Sequence, residues 1–471
     1  MKRSSIRSSL FACAALLFLS LPAQARTYTI DEAVNQALGA NPNIKAAEKS
    51  EKASESALKV ARGDFGPSVN AAYIIKHDRM RRSPTSVSVP VGTVDVTIPT
   101  PAGAVTQPMP YTRQVSVKNN SNLTTRTAAI TVSQTLFAGF RLLNAAQKAA
   151  LEVEYQKQQV ENARLKVANG VQSLFLKYLM AEEQVKSSQR SLERAKEQMN
   201  TARAAFNLGL RPKLDVLQAE LDYANTEAKL IASENDLTTT AAQLAMMLND
   251  AESSGNEFVG KLDLIPFDLG FEQCVQKAFA QRPDIQMAVK SLEKMEKDLG
   301  IVKGTFLPQV TAELSFSNTD ADGNYHIAGN KTAVSSDVTD FSGTITIGWN
   351  LFSSGKRYNG VKQAKAGVEA MQAQVEQAYN NAAFEVKSNL LNLQDARRTC
   401  EVTEHQLASA RQAYSDAKLR YELQLGTNLE MLTAQSNYAA AELNVISARC
   451  GYLVALSNLY TSMGEIHPDL H

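Results

Sequence analysis

Two stretches decide how this chain folds: PQVTAELSFSN at 308–318 and FSGTITIGWNLFSSG at 341–355. In the first, Val310, Ala312, Leu314 and Phe316 alternate with Thr311, Glu313, Ser315 and Ser317. In the second, Phe341, Ile345, Ile347, Trp349 and Leu351 oppose Ser342, Thr344, Thr346 and Asn350. Period-two alternation predicts strands with one apolar and one small-polar face. After Gly355 the period changes to a helical one that runs without proline to Tyr421. At ~1.5 Å per residue that stretch would be roughly 100 Å long, and no compact domain buries such a helix. A turn at 423–428 then leads into a returning helix.

The same order of events occurs earlier. Ala128, Ile130 and Val132 oppose Thr127, Thr131, Ser133 and Thr135, with Val69, Ala71, Tyr73 and Ile75 as a weaker partner strand, and a proline-free helical pattern runs from Gly139 to Phe206. Setting Pro42 on Pro283 and Pro67 on Pro308 uses one offset, 241, which also brings Val34 onto Val275, Ala37 onto Ala278 and Ile44 onto Ile285. Further on the offset is 215, and Leu208, Leu210, Leu214, Asp215 and Leu217 fall on Leu423, Leu425, Leu429, Glu430 and Leu432. The chain therefore reads as an internal duplication whose first copy has 26 extra residues between Pro67 and Phe137.

The expected organisation follows. Residues 1–25 form a signal peptide. Residues 26–249 form a first repeat with strands about 67–77 and 126–137 and long helices 139–206 and 214–248. Residues 250–270 are a linker. A second repeat, 271–464, has strands about 308–318 and 341–352 and long helices 355–423 and 429–463, and 465–471 is a short polar tail that includes His467 and His471. The first 25 residues carry Lys2, Arg3 and Arg7, an apolar run from Leu10 to Leu21 and an Ala23-Gln24-Ala25 cleavage signal, which is the pattern of a secretory leader. Its removal changes the net charge from +1 to −2, which argues against nucleic acid as a partner. No later run reaches the ~18 consecutive apolar residues of a membrane-spanning helix.

Strands of about eight to eleven residues with one apolar and one wet face suit a membrane barrel, and equally a half-buried soluble sheet. The long helices favour the barrel, because they leave nothing beside the strands to form a core. Four strands cannot close in lipid, since open edges leave polar groups unpaired. The barrel must be shared: two subunits give eight strands, three give twelve and a wider passage.

The junctions Gln134-Thr135-Leu136-Phe137-Ala138-Gly139 and Asn350-Leu351-Phe352-Ser353-Ser354-Gly355, with the turn segments Phe206 to Leu217 and Tyr421 to Leu432, resemble those of the TolC family of outer-membrane efflux and type I secretion channels. The resemblance covers nearly all of the mature chain. It implies a homotrimer with a twelve-stranded β-barrel in outer-membrane lipid, a periplasmic α-barrel of antiparallel hairpins, and an inner end opened by partners. Those partners would be a periplasmic adaptor and an inner-membrane pump of the ABC or RND type. It also implies a passive exit duct for proteins or small toxic molecules, with no cofactor. A non-conducting, periplasm-spanning coiled-coil tether is the alternative.

The candidate gate residues lie at the turns. Asp215 and Glu430 occupy equivalent places just past them and would form an acidic gate, or simply complement the dipole of the returning helix. Arg211 and Lys213 would pair with acids on a neighbouring hairpin or stay solvated; Asp416 and Glu422 sit nearby, and Gly209, Pro212 and Gly426 shape the turns. Copy two has Gln424 where copy one has Gly209. Cys400 and Cys450 are equidistant from Leu425, so a disulfide between them is open, with buried free thiols the alternative. The proline-rich segment 77–124 reads as an extracellular loop whose valines could form a small hairpin. Ser354-Gly355-Lys356-Arg357 lacks the earlier Gly and following Ser or Thr of a phosphate loop, and the five histidines have no metal-ligand spacing, so neither a catalytic nor a metal site is expected.

Overall fold

The computed structural model describes residues 27–81, 83, 85–117, 120–250, 257–327 and 330–467; the expected signal peptide, His471 and part of the expected linker lie outside them. In chain order the elements are β1 (Thr27–Tyr28), α1 (Ile30–Ala40), α2 (Pro42–Gly63), β2 (Ser68–Arg81), β3 (Thr85–Thr100), β4 (Gly103–Val117), β5 (Asn120–Phe137), α3 (Arg141–Asn207) and α4 (Lys213–Met247). They continue as β6 (Glu257–Phe258), α5 (Phe271–Gln281), α6 (Pro283–Gly304), β7 (Gln309–Ile327), β8 (Asn330–Gly348), α7 (Lys356–Glu422) and α8 (Asn428–Met463). The chain divides into two units, one formed within Met1–Ser54, Leu151–Glu293 and Glu369–His471, the other within Glu55–Ala150 and Lys294–Val368.

In the first unit the core forms where short amphipathic helices meet long ones. Ile30, Ala33, Val34 and Ala37 of α1 recur at helical spacing and are buried, as are Cys274 and Ala278 of α5. They share a cluster with Phe175 and Leu179 of α3 and with Leu453, Leu456 and Leu459 of α8. β1 and β6 pair in parallel, stacking Tyr28 on Phe258 at 5.8 Å. The described part of the expected linker, 257–270, is packed: Leu262, Ile265, Phe267 and Leu269 lie against this core, and the Tyr452 hydroxyl donates to the Ile265 carbonyl. Gly and Pro signal irregular backbone, but the four apolar side chains between them keep that backbone on the protein. Of the described residues of the expected tail, 465–467, Glu465 and His467 are likewise held against the protein. His467 is 3% exposed with its ring 4.2 Å from that of Tyr460, and Lys277 pairs with Glu465 at 3.0 Å.

Cys274, Cys400 and Cys450 are all free and buried, so the Cys400–Cys450 disulfide does not form. The Cys450 thiol instead donates to the Leu176 carbonyl at 3.5 Å, and burial pushes it up to about 11 despite Lys177 nearby. By length and composition α8 would pass for a membrane span. Its polar residues bind protein instead, with Ser457 donating to Gln172 at 2.9 Å and Glu442 pairing with Arg194.

In the second unit a four-stranded antiparallel sheet runs in the order β2-β5-β7-β8. Its strands have 14, 18, 19 and 19 residues, longer than the sequence suggested. The added lengths are rich in Asn, Ser, Thr and Asp, which read as turns by propensity, but unbroken ladder pairing overrides propensity. β8 ends at Gly348, so Trp349 and Leu351 lie beyond it, and the Trp349 indole N–H donates to the Phe306 carbonyl at 3.0 Å. The segment 77–124 is mostly strand: β3 and β4, of 16 and 15 residues, form a separate hairpin. At the sheet-to-helix junction the backbones of Gly139 and Gly304 meet so closely that a methyl at either would overlap the other's carbonyl oxygen.

Candidate functional site

The second unit supplies a two-faced wall. Register places Ala71, Ile130, Phe316 and Phe341 in one cross-strand row and Val69, Val132 and Leu314 in another, while Ile347 and Ile345 of β8 oppose Val310 and Ala312 of β7. The rows between these are polar: Ser68, Ser133, Glu313 and Thr344, then Asn70, Thr131, Ser315 and Ser342. Among the described residues nothing covers the apolar face, with Phe341 72% and Ile347 70% exposed. From Val310 to Phe316 the apolar rows span about 20 Å along the strand. Tyr73, Phe316 and Phe341 lie towards one end of these rows; Phe306, Trp349 and Phe352 follow the strands at the junction, where Arg357 covers the Phe306 ring. Past Phe316 the same face becomes charged, where Arg126 meets Asp320 at 3.2 Å and Asp322 at 3.3 Å. Among the described residues, β2 and β8 each leave one edge unpaired.

On the polar side, near the junction, lies a recess of about 1110 Å³ lined by Gln309, Thr311, Trp349 and the cations Arg141, Lys356 and Arg357. Arg141 and Arg357 are structurally engaged, donating to Gln309 at 2.9 Å and to the Thr305 carbonyl at 3.3 Å.

In the first unit the α3–α4 and α7–α8 turns have one geometry. Gly209 N–H bonds Phe206 and Leu210 N–H bonds Ala205; Gln424 bonds Tyr421 and Leu425 bonds Arg420 in the same way. These are Schellman ends, which require a left-handed residue. Gly209 supplies it at φ 75°, and Gln424 supplies it at φ 63° in spite of its side chain. Pro212 is the N-cap of α4; Thr427 caps α8, with Glu430 accepting from the Thr427 backbone N–H at 3.2 Å.

Arg211 joins the two turns. Its guanidinium donates to the Tyr421 carbonyl at 2.9 Å and lies 4.5 Å over the Tyr421 ring. Tyr421 is buried, and burial with the Asp215 charge pushes its hydroxyl up in pKa, opposed by Arg211. Asp215 and Glu430 are not structural equivalents: Asp215 is buried, whereas Glu430 is an exposed cap. Lys213, Asp416 and Glu422 are exposed, and Asp416 accepts from Gln412 one turn away on its own helix. Gly426 sits against Arg420 and Glu430 in the second turn.

The residues that sequence reading missed are the polar ones between helices. Asn428 is 2% exposed and donates to the Asp215 carbonyl and to Gln218, both at 3.2 Å, while accepting from Gln198 at 3.0 Å. Higher up, Arg194 pairs with Glu442 at 2.9 Å and covers the Tyr438 ring, which stacks on Tyr414. The available signal was the departure between copies, Asn428 standing where copy one has the exposed Lys213.

The profile of the outer membrane efflux protein family matches residues 33–250 and 274–465. Among curated relatives, the outer membrane efflux protein BepC of Brucella suis is 22% identical over 74% of this chain and 74% of its own length. The outer membrane protein TolC of Vibrio cholerae is 21% identical over 72% of this chain and 76% of its own. Among solved structures, the CmeC outer membrane channel of Campylobacter jejuni covers 98% of this chain and 94% of its own with a TM-score of 0.70 at 16% identity, a likeness of fold.

Proposed function

The chain belongs to the outer membrane efflux protein family, and from that premise we propose that it is the exit duct of an export machine, assembled from three copies. As a member of the family it is an outer-membrane protein and not an enzyme. The observation that carries the proposal is the sheet: one apolar face, one polar face and two open edges. An apolar band about 25 Å tall with aromatic girdles and a wet lining is what a transmembrane barrel presents to lipid and lumen. Edges in lipid must pair, so β8 of one copy meets β2 of the next, and three copies give twelve strands around an aqueous passage.

Matched element lengths support the internal duplication. α1 and α5 have 11 residues each, α2 and α6 have 22, α3 and α7 have 67, and α4 and α8 have 35 and 36. The two turns joined by Arg211 are then the inner end, where an adaptor and an inner-membrane pump of the ABC or RND type would deliver proteins or small toxic molecules. The duct itself is passive.

The test is planar-bilayer conductance of the detergent-purified protein with its assembly mass measured on the same sample. Discrete channels from a trimer are expected. A monomer that never conducts would overturn the proposal.

A further inference from the structure

The hairpin of β3 and β4 is unlike the rest of the second unit. The last β2–β5 pair is Arg81 with Asn120, and the first β3–β4 pair is Thr85 with Val117, so the chain leaves the sheet at the end away from the helices and begins a second ladder. On β3 the apolar residues change parity, with Val87 and Val89 before Gly92 and Val94, Val96 and Ile98 after it. Without compensation a parity change would send the two sets to opposite faces. The register shifts between Pro90 and Gly92, with Gly92 at φ 154°, and the shift returns both sets to one face. Val105, Met109 and Val115 of β4 join them by pairing with Ile98, Val94 and Val87. All are exposed, and nothing described in the chain covers that face. The other face carries Ser88, Asp95, Thr112 and the prolines Pro90, Pro99, Pro108 and Pro110.

A bulge that preserves an apolar face argues that the face is used. Two strands of some fifteen residues present about 500 Å² per copy, at the upper range of apolar patches on a free surface. Three such faces total about 1,500 Å², the size of a standard stable interface. Lipid is a poor occupant, because a two-stranded ribbon has two open edges whose N–H and C=O groups hydrocarbon leaves unpaired. Strand addition is also disfavoured, since four prolines lack the N–H that an added strand would need. Among the described residues of that face Arg113, opposite Val89, is the only charge and Gln107, opposite Val96, is also polar; the long stem of Arg113 lets its head reach water at the rim.

We propose that the occupant is the same hairpin of the other copies: the β3–β4 hairpins pack apolar face to apolar face outside the barrel as a cap. This rests on the trimeric reading above.

The test is cysteine crosslinking of the full-length protein with a bis-maleimide spanning about 10 Å, the spacing of packed sheets. Val96→Cys and Val89→Cys probe the apolar face at two heights, and Asp95→Cys probes the outer face. The assembly mass is measured on each sample. Interchain crosslinks at Val96→Cys or Val89→Cys at least ~10-fold faster than at Asp95→Cys, in an assembly of three chains, are expected. A trimer in which the apolar-face cysteines crosslink no faster than Asp95→Cys would refute the cap and leave the duct standing. A protein that is not a trimer would refute both.

Discussion

Replacing Arg211 with Ala should loosen the contact between the two turns. The guanidinium makes one hydrogen bond to the Tyr421 carbonyl and one stacking contact on the Tyr421 ring. That carbonyl is in the last turn of α7, where a cation also complements the helix dipole. A hydrogen bond from a charged group contributes about 1.5–3 kcal/mol when well shielded, and nearer 1 kcal/mol at a half-exposed turn. The cation–π contact adds about 1 kcal/mol. Loss of both, about 2 kcal/mol, shifts a joined-to-separated equilibrium of the two turns roughly 30-fold towards separation. In planar bilayers, Arg211→Ala should raise open probability or unitary conductance. Arg211→Lys, which keeps the charge but not the planar stack, should fall between it and the natural protein. The thermal midpoint should fall by no more than a few degrees, as expected for a loss of about 2 kcal/mol from a chain of this size. Unchanged currents from a normally folded Arg211→Ala channel would refute the idea that this contact holds the inner end together.

Three further outcomes follow from burial and backbone geometry. Burial raises the Asp222 pKa, so between about 3.8 and its raised folded value the native state holds more protons than the unfolded one and stability falls as pH rises; Asp222→Asn, which can still accept from Gln435, should raise the thermal midpoint at pH 7 and not at pH 3. Maleimide at pH 7 should leave Cys274, Cys400 and Cys450 unlabelled in the native protein and label all three in denaturant without reductant, whereas a missing label after denaturation would reveal a disulfide. Gln424→Gly should stabilise the protein by about 0.5–1 kcal/mol by relieving a left-handed residue, read from denaturant midpoints, and a loss of stability would show that the Gln424 side chain makes a compensating contact.

Much of the fold could be read from the sequence because its signals are local. Alternation at 310–316 and 341–347 carries the strand faces, and proline-free periodicity carries the long helices. The errors arose where tertiary pairing decides. Thr319 to Asn324 and Asn330 to Thr339 have turn composition, yet each is held by a neighbouring strand. The prolines of 84–110 suggested a loop because they exclude helix; they do not exclude a two-stranded ladder with free outer edges. His467 looked like tail because its burial depends on Tyr460 and Gln172, which lie close in space and not in any local pattern.

The candidate gate was legible as a place and not as a mechanism. Aligning the copies finds both turns, and the Schellman bonds are the same in each. Alignment then suggests that Asp215 and Glu430 do one job, which the packing contradicts. On the first hairpin the residue at α4 Lys213 is exposed and the acid two places on is buried; on the second, Asn428 is buried and the acid two places on is exposed. The inward position changes because α8 packs its first turn between α3 and α4, so that Asn428 satisfies a buried carbonyl there. The two turns therefore share a backbone geometry, which is a matter of helix termination. The side chains differ with their surroundings: Asp215 is enclosed at the first turn, whereas Glu430 stands exposed at the second among Asp416, Glu422 and the exposed cations Lys418 and Arg420.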